Sequence, residues 1–116
     1  MTDESNNGLP PEIFQELLKK YKESLPERMN GFNHAIQLLK KNPSKENLTQ
    51  VRFFVHKFAG NAGTYGYQTV TDLCKSWDAK LSEMMNQFPN CKLDESLFNE
   101  LDALFKKIQE QFSHGK

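Results

Sequence analysis

Apolar residues recur at steps of three and four along nearly the whole chain, and this periodicity constrains the fold more than any other feature of the sequence. A stripe with that spacing buries one side of a helix and leaves the other side to water. Strand-type alternation is absent, and the periodic segments are rich in Leu, Lys, Glu and Gln but poor in Val and Ile, which favours helix over sheet. Pro10, Pro11, Pro26, Pro43 and Pro89 punctuate the pattern.

Pro10 and Pro11 suit the first turn of a helix, and Ile13, Leu17, Leu18 and Tyr21 mark an amphipathic segment after them. Leu25, Met29, Phe32, Ile36 and Leu39 mark the next. Pro26 either starts that second segment or kinks one long helix, since an internal proline loses a hydrogen bond and clashes with the preceding turn. After a break at 41–43, Ser44 is an N-cap, and Leu48, Val51, Val55, Phe58 and Ala62 predict a helix over roughly 44–62. The stretch GTYGY at 63–67 is a short turn. Val70, Leu73, Cys74, Trp77, Leu81, Met84, Met85 and Phe88 then form the cleanest apolar stripe, ended by Pro89 and Asn90. Asp94 caps a last helix with Leu97, Leu101, Leu104, Phe105, Ile108 and Phe112 on its buried side.

Four long amphipathic helices with short connections predict an all-α fold, an antiparallel up-down four-helix bundle with a short additional N-terminal helical segment. The bundle is expected over 9–112, between a flexible N-terminal tail at 1–8 and a flexible C-terminal tail at 113–116. Its stripes are too wide for a coiled-coil seam, and one chain supplies all of them, so a monomer is the expected state.

The chain has 116 residues, enough for one domain and one modest core. Its 15 basic and 15 acidic side chains cancel, which removes the cationic surplus that binders of nucleic acid or acidic membranes use, and neither partner is expected. No apolar run approaches the ~20 residues that span a bilayer, and MTDESNNG is unlike a secretory signal. Cys74 and Cys91 are too far apart for a CxxC motif. A cytoplasmic protein with reduced thiols is expected.

The segment that carries chemistry runs from Val55 to Tyr67. At about 100° per residue, His56 stands beside the Val51, Val55 and Phe58 stripe, with Arg52, Ala59, Gly60 and Gly63 one or two turns away on its own face. A glycine inside a helix costs about 1 kcal/mol relative to alanine, so Gly60 calls for a reason. One is the close approach of a second protein to the imidazole; the other is tight packing between helices of the bundle.

His-x-Phe-x-Gly-Asn-Ala-x-x-Tyr-Gly, from His56 to Gly66, resembles the signature of histidine-containing phosphotransfer (HPt) domains. The AGTYGY run is especially similar to the N-terminal phosphotransfer domain of chemotaxis histidine kinases. The resemblance extends over roughly 10–112, although the specific motif is confined to 56–67. It implies that His56 is the phospho-acceptor of a two-component phosphorelay, attacking through its outer ring nitrogen a receiver phosphoaspartate or the γ-phosphate of ATP held by a histidine kinase. A response-regulator receiver domain then takes the phosphoryl group. No cofactor is expected on this chain, and Mg²⁺ comes from the partner's active site. The chain is then a carrier and not an enzyme, either free-standing or part of something larger.

At one position the sequence departs from the family pattern: Ala59 stands where a basic residue is usual, three places after the histidine. Lys57 and Arg52 are the cations near enough in sequence to compensate. The resemblance also implies a carboxylate on the following helix that hydrogen-bonds the inner ring nitrogen, and ungapped counting from His56 places Asp78 there. Between Lys40 and Lys57 five basic residues oppose Glu46 alone, whereas residues 72–102 carry seven acids and three lysines, so the His56 helix is locally basic.

Other classes are weaker. His34, His56 and His114 show no Glu-x-x-His or His-Glu-x-x-His spacing for a metal site. Cys74 falls on an apolar stripe and reads as a core thiol, not a nucleophile paired with His56. A helical docking module that has lost phosphotransfer is the alternative, with Ala59 as its best argument.

Overall fold

The computed structural model describes residues 10–114. The tail expected at 1–8 and the last two residues of the tail expected at 113–116 lie outside the described residues. Among the described residues the chain forms four α-helices, α1 (Pro11–Lys41), α2 (Lys45–Asn61), α3 (Gln68–Gln87) and α4 (Glu95–His114), with a 3₁₀ turn at Gly63–Tyr65 between α2 and α3. Ser113 and His114 continue α4, two residues beyond the expected end of the bundle.

α1 runs unbroken through Pro26, so the additional N-terminal segment is the first part of one 31-residue helix and not a separate element. Pro26 is exposed, while Leu25 and Met29 beside it are buried and Phe32 is fully enclosed. An internal proline costs about 3 kcal/mol, and each large apolar side chain fully buried contributes about 1.5–3 kcal/mol. Three such side chains around the proline outweigh it. α1 is also roughly 46 Å long by its rise per residue, nearly the 49 Å length of the molecule, whereas α2 spans only 17 residues. At this overhanging start, Ile13 and Leu17 are exposed, contrary to the core role their spacing implied.

The caps form as the sequence indicates. Ser44 Oγ accepts a hydrogen bond from the Asn47 backbone N–H at 3.1 Å, and Asp94 Oδ1 accepts one from Leu97 N–H at 3.2 Å. Contacts between neighbouring helices run in opposite order: Tyr21 meets Asn61 while Gly31 faces Phe54; Thr49 meets Met85 while Arg52 meets Asp78; Tyr21 meets Phe112 while Lys40 meets Asp102. This order is that of antiparallel neighbours in the pairs α1/α2, α2/α3 and α1/α4, and α4 packs against both α1 and α3.

Phe32, Ile36 and Leu39 of α1, Leu48, Val51, Val55 and Phe58 of α2, and Leu101 and Ile108 of α4 are essentially inaccessible. The α3 stripe is only partly so. Val70, Cys74 and Leu81 are buried, but Leu73, Trp77, Met84 and Met85 lie at the core's edge. At the end of the bundle where α2 stops, Tyr21 is buried, donates from its hydroxyl to Asn61 Oδ1 at 2.9 Å, and stacks on Tyr65 with ring centroids 4.4 Å apart. Tyr67 meets Phe112 edge-on at 4.8 Å. The turn after α2 is thus tied to α1 and α4 at once.

Candidate functional site

Val55 and Phe58, both enclosed, set the rotation of α2 about its axis, and His56 follows Val55 by about 100° onto the flank facing α3. Its side chain is 64% exposed. On α3, Cys74 and Leu81 are enclosed and set the rotation in the same way; Asp78, one turn after Cys74, stands at the edge of the α2 contact with its side chain 20% exposed. The two residues meet: His56 Nδ1 lies 2.9 Å from Asp78 Oδ2. The other carboxylate oxygen, Oδ1, accepts from Arg52 Nε at 2.8 Å.

Partial burial pushes the Asp78 carboxyl up, but hydrogen bonds from His56 and Arg52, with the guanidinium charge, outweigh it and hold the group below its ordinary range. Asp78 is therefore an acceptor-only carboxylate at neutral pH. It follows that Nδ1 carries a proton, and that in the neutral ring Nε2 carries the lone pair, on a side chain largely open to solvent. An oriented imidazole with one available nitrogen can act as a nucleophile.

The helix surface one turn beyond His56 is bare. Gly60 is exposed, and a Cβ built on it meets nothing within 4 Å, so tight packing between helices is not the reason for this glycine. Ala59 is half-buried against the core. Both cations offered as compensation for Ala59 have neighbours within the fold, Arg52 through its Nε alone. Arg52 is engaged with Asp78, and Lys57 leans back along α2 with Nζ 5.4 Å from the centroid of the Phe53 ring. Lys40 pairs with Asp102, which further reduces the local basic excess.

The rest of the motif holds the backbone. Asn61 receives the Tyr21 hydroxyl, and the Gly63 N–H donates to Thr71 Oγ1 at 2.7 Å, which in turn donates to the Phe58 carbonyl at 3.3 Å. A Cβ at Gly63 would lie 2.9 Å from Gln68 Oε1 and 3.1 Å from Thr71 Oγ1, so a side chain here requires Gln68 to swing aside and the Thr71 hydroxyl that accepts from Gly63 N–H to shift. Gly66 adopts φ +98°, which only glycine takes without strain. Thr71, buried and polar, is the residue that sequence reasoning passed over; its place between Val70 and Cys74 on an apolar stripe is the signal that could have marked it.

Cys74 is buried beneath the site, and burial, aided by the Asp78 charge, pushes its thiol up to about 12, which keeps it protonated and inert. His34 and His114 are exposed on α1 and α4. Among the described residues no three His, Cys, Asp or Glu side chains are grouped to hold a metal ion, and no helix is long and apolar enough to cross a membrane.

Neither curated proteins nor solved structures provide a match to this chain. A family profile does: that of the Hpt domain matches residues 16–111. The matched stretch takes in most of α1 and of α4 and everything between them, including the His56 helix and its Asp78 partner. The chain therefore belongs to the Hpt domain family, helical bundles that carry phosphoryl groups in two-component phosphorelays.

Proposed function

We propose that His56 accepts a phosphoryl group on Nε2, from a receiver phosphoaspartate or from ATP bound to a histidine kinase, and passes it to a response-regulator receiver domain in the cytoplasm. The observation that carries this reading is the exposed His56 ring held at Nδ1 by Asp78, one helical turn from the bare surface at Gly60. In the forward step the Nε2 lone pair forms the N–P bond as the P–O bond to the donor breaks. The bonding electrons leave with the donor's carboxylate or with ADP. The Nδ1 proton stays in place, so the ring becomes cationic, and Asp78 stabilises that charge.

In-line phosphoryl transfer depends on positioning and charge neutralisation more than on covalent help. The partner supplies Mg²⁺, and this chain, acting as a monomer, supplies an oriented nucleophile on a rigid helix. It is a carrier and not a catalyst. Incubation with a small phosphoramidate and with a panel of phosphorylated receivers, with mass-spectrometric location of acid-labile label, tests the reading. Label on His56 that passes to a receiver, and its loss in His56→Gln with the fold intact, is the expected result. A second reading, a docking module that binds a receiver without exchanging phosphate, is favoured by Ala59 together with the engagement of Arg52 by Asp78. Receiver binding with no label from any donor would select it.

A further inference from the structure

We propose that Arg52 is a positioning residue that acts on His56 through Asp78: it holds the carboxylate where it accepts a hydrogen bond from Nδ1–H, leaving Nε2 as the attacking atom. The inference rests on His56 being the phosphoryl acceptor.

Arg52 and His56 are one turn apart on α2, and the Asp78 carboxylate bridges them from α3, with Oδ1 on Arg52 Nε at 2.8 Å and Oδ2 on His56 Nδ1 at 2.9 Å. An aspartate at a helix edge has several rotamers open to it; two charge-assisted contacts, one to each oxygen, select one. The guanidinium cannot give up its proton, so its demand for an acceptor is permanent. This differs from the role the sequence offered Arg52, direct contact with the phosphoryl group, and the difference has a consequence at position 78. In Asp78→Asn the amide oxygen must turn to Arg52. The amide NH₂ then faces His56 Nδ1, which has to accept, and the ring proton moves to Nε2, where it blocks attack. Removing Arg52 from that variant frees the amide to turn its oxygen back to His56. A loss at 78 is thereby repaired by a second loss at 52.

The test uses ¹⁵N-labelled, unphosphorylated protein, with long-range ¹H–¹⁵N spectra reporting the His56 tautomer, and initial labelling rates from phosphoramidate. Wild type is expected as Nδ1–H. Arg52→Met, with Arg52→Gln as a second neutral variant, is expected to show mixed tautomers and labelling slower by about three- to tenfold. Arg52→Lys keeps the charge and restores more than half of the lost rate. Asp78→Asn shifts to Nε2–H, and the Arg52→Met/Asp78→Asn double variant returns towards Nδ1–H and labels faster than Asp78→Asn alone. An unchanged tautomer in both neutral Arg52 variants, or a double variant slower than Asp78→Asn, would overturn the inference; the latter is what direct phosphoryl contact requires. If wild type takes no label, the phosphotransfer reading fails, while the tautomer arm still decides the role of Arg52.

Discussion

Substituting Gly60 separates the two reasons a helix can carry a glycine. The backbone at this position is helical and a Cβ meets nothing within 4 Å, so alanine fits without displacing any neighbour. An interior glycine costs about 1 kcal/mol relative to alanine, and because Gly60 is next to the last residue of α2 the gain is about 0.5–1 kcal/mol. For a domain of this size that raises the melting temperature by about 2–5 °C. Gly60→Gln shares most of that gain but raises a long side chain over the face that carries His56. Labelling by a small phosphoramidate is then expected within about twofold of wild type, while exchange with a receiver falls about tenfold or more, equivalent to about 1.4 kcal/mol of lost docking. Calorimetry and paired labelling assays measure both. A lower melting temperature for Gly60→Ala would refute the open-face geometry, and normal receiver exchange by Gly60→Gln would refute this face as the approach surface.

Asp78 is held below its ordinary value, so its stabilising contribution is complete above about 3.8 and declines as pH falls towards its folded value. In urea titrations the stability difference between wild type and Asp78→Asn should shrink as pH falls below about 3.8; a difference that stays constant from there down to about pH 2 would contradict the assignment. Tyr21→Phe removes the hydroxyl that Asn61 accepts, and is expected to cost about 1 kcal/mol by denaturant unfolding while leaving His56 labelling within about twofold. Greater loss of labelling than of stability would mean that the aromatic end of the bundle reaches the site. Cys74, buried with a thiol pushed up to about 12, should resist iodoacetamide at pH 8 until the protein unfolds, whereas half-buried Cys91 reacts in the native state; native-state alkylation of Cys74 would show that the core opens beneath the site.

Much of the fold could be read from local signals. Ser44 and Asp94 cap the helices that their positions before apolar stripes indicate, and α2 starts and stops within one residue of the range its spacing predicts. Pro26 could not be read, because its cost is local whereas the compensating burial of Leu25, Met29 and Phe32 depends on the other helices. Ile13 and Leu17 were misleading for a related reason: a stripe records amphipathicity, and whether anything covers it depends on the lengths of the neighbouring helices. At the site, the contact of Asp78 with His56 was legible from counting, but the pairing of Arg52 with Asp78 was not. Arg52 and Asp78 are 26 residues apart, and no periodicity relates the two.

By itself the sequence determined what is set within a helical turn or two: the apolar stripes, the caps at Ser44 and Asp94, the short turn at 63–67, and an imidazole flanking a buried stripe rather than lying within it. The tertiary structure alone decided how α2 and α3 are rotated and shifted against each other, and that relation brings both oxygens of Asp78 to Arg52 and His56. The physical reason is that side-chain periodicity defines which face of each helix is apolar. The axial register between two such faces is decided only when the whole core packs, and a shift of one turn, about 5.4 Å, would leave the same stripes buried and His56 without its carboxylate.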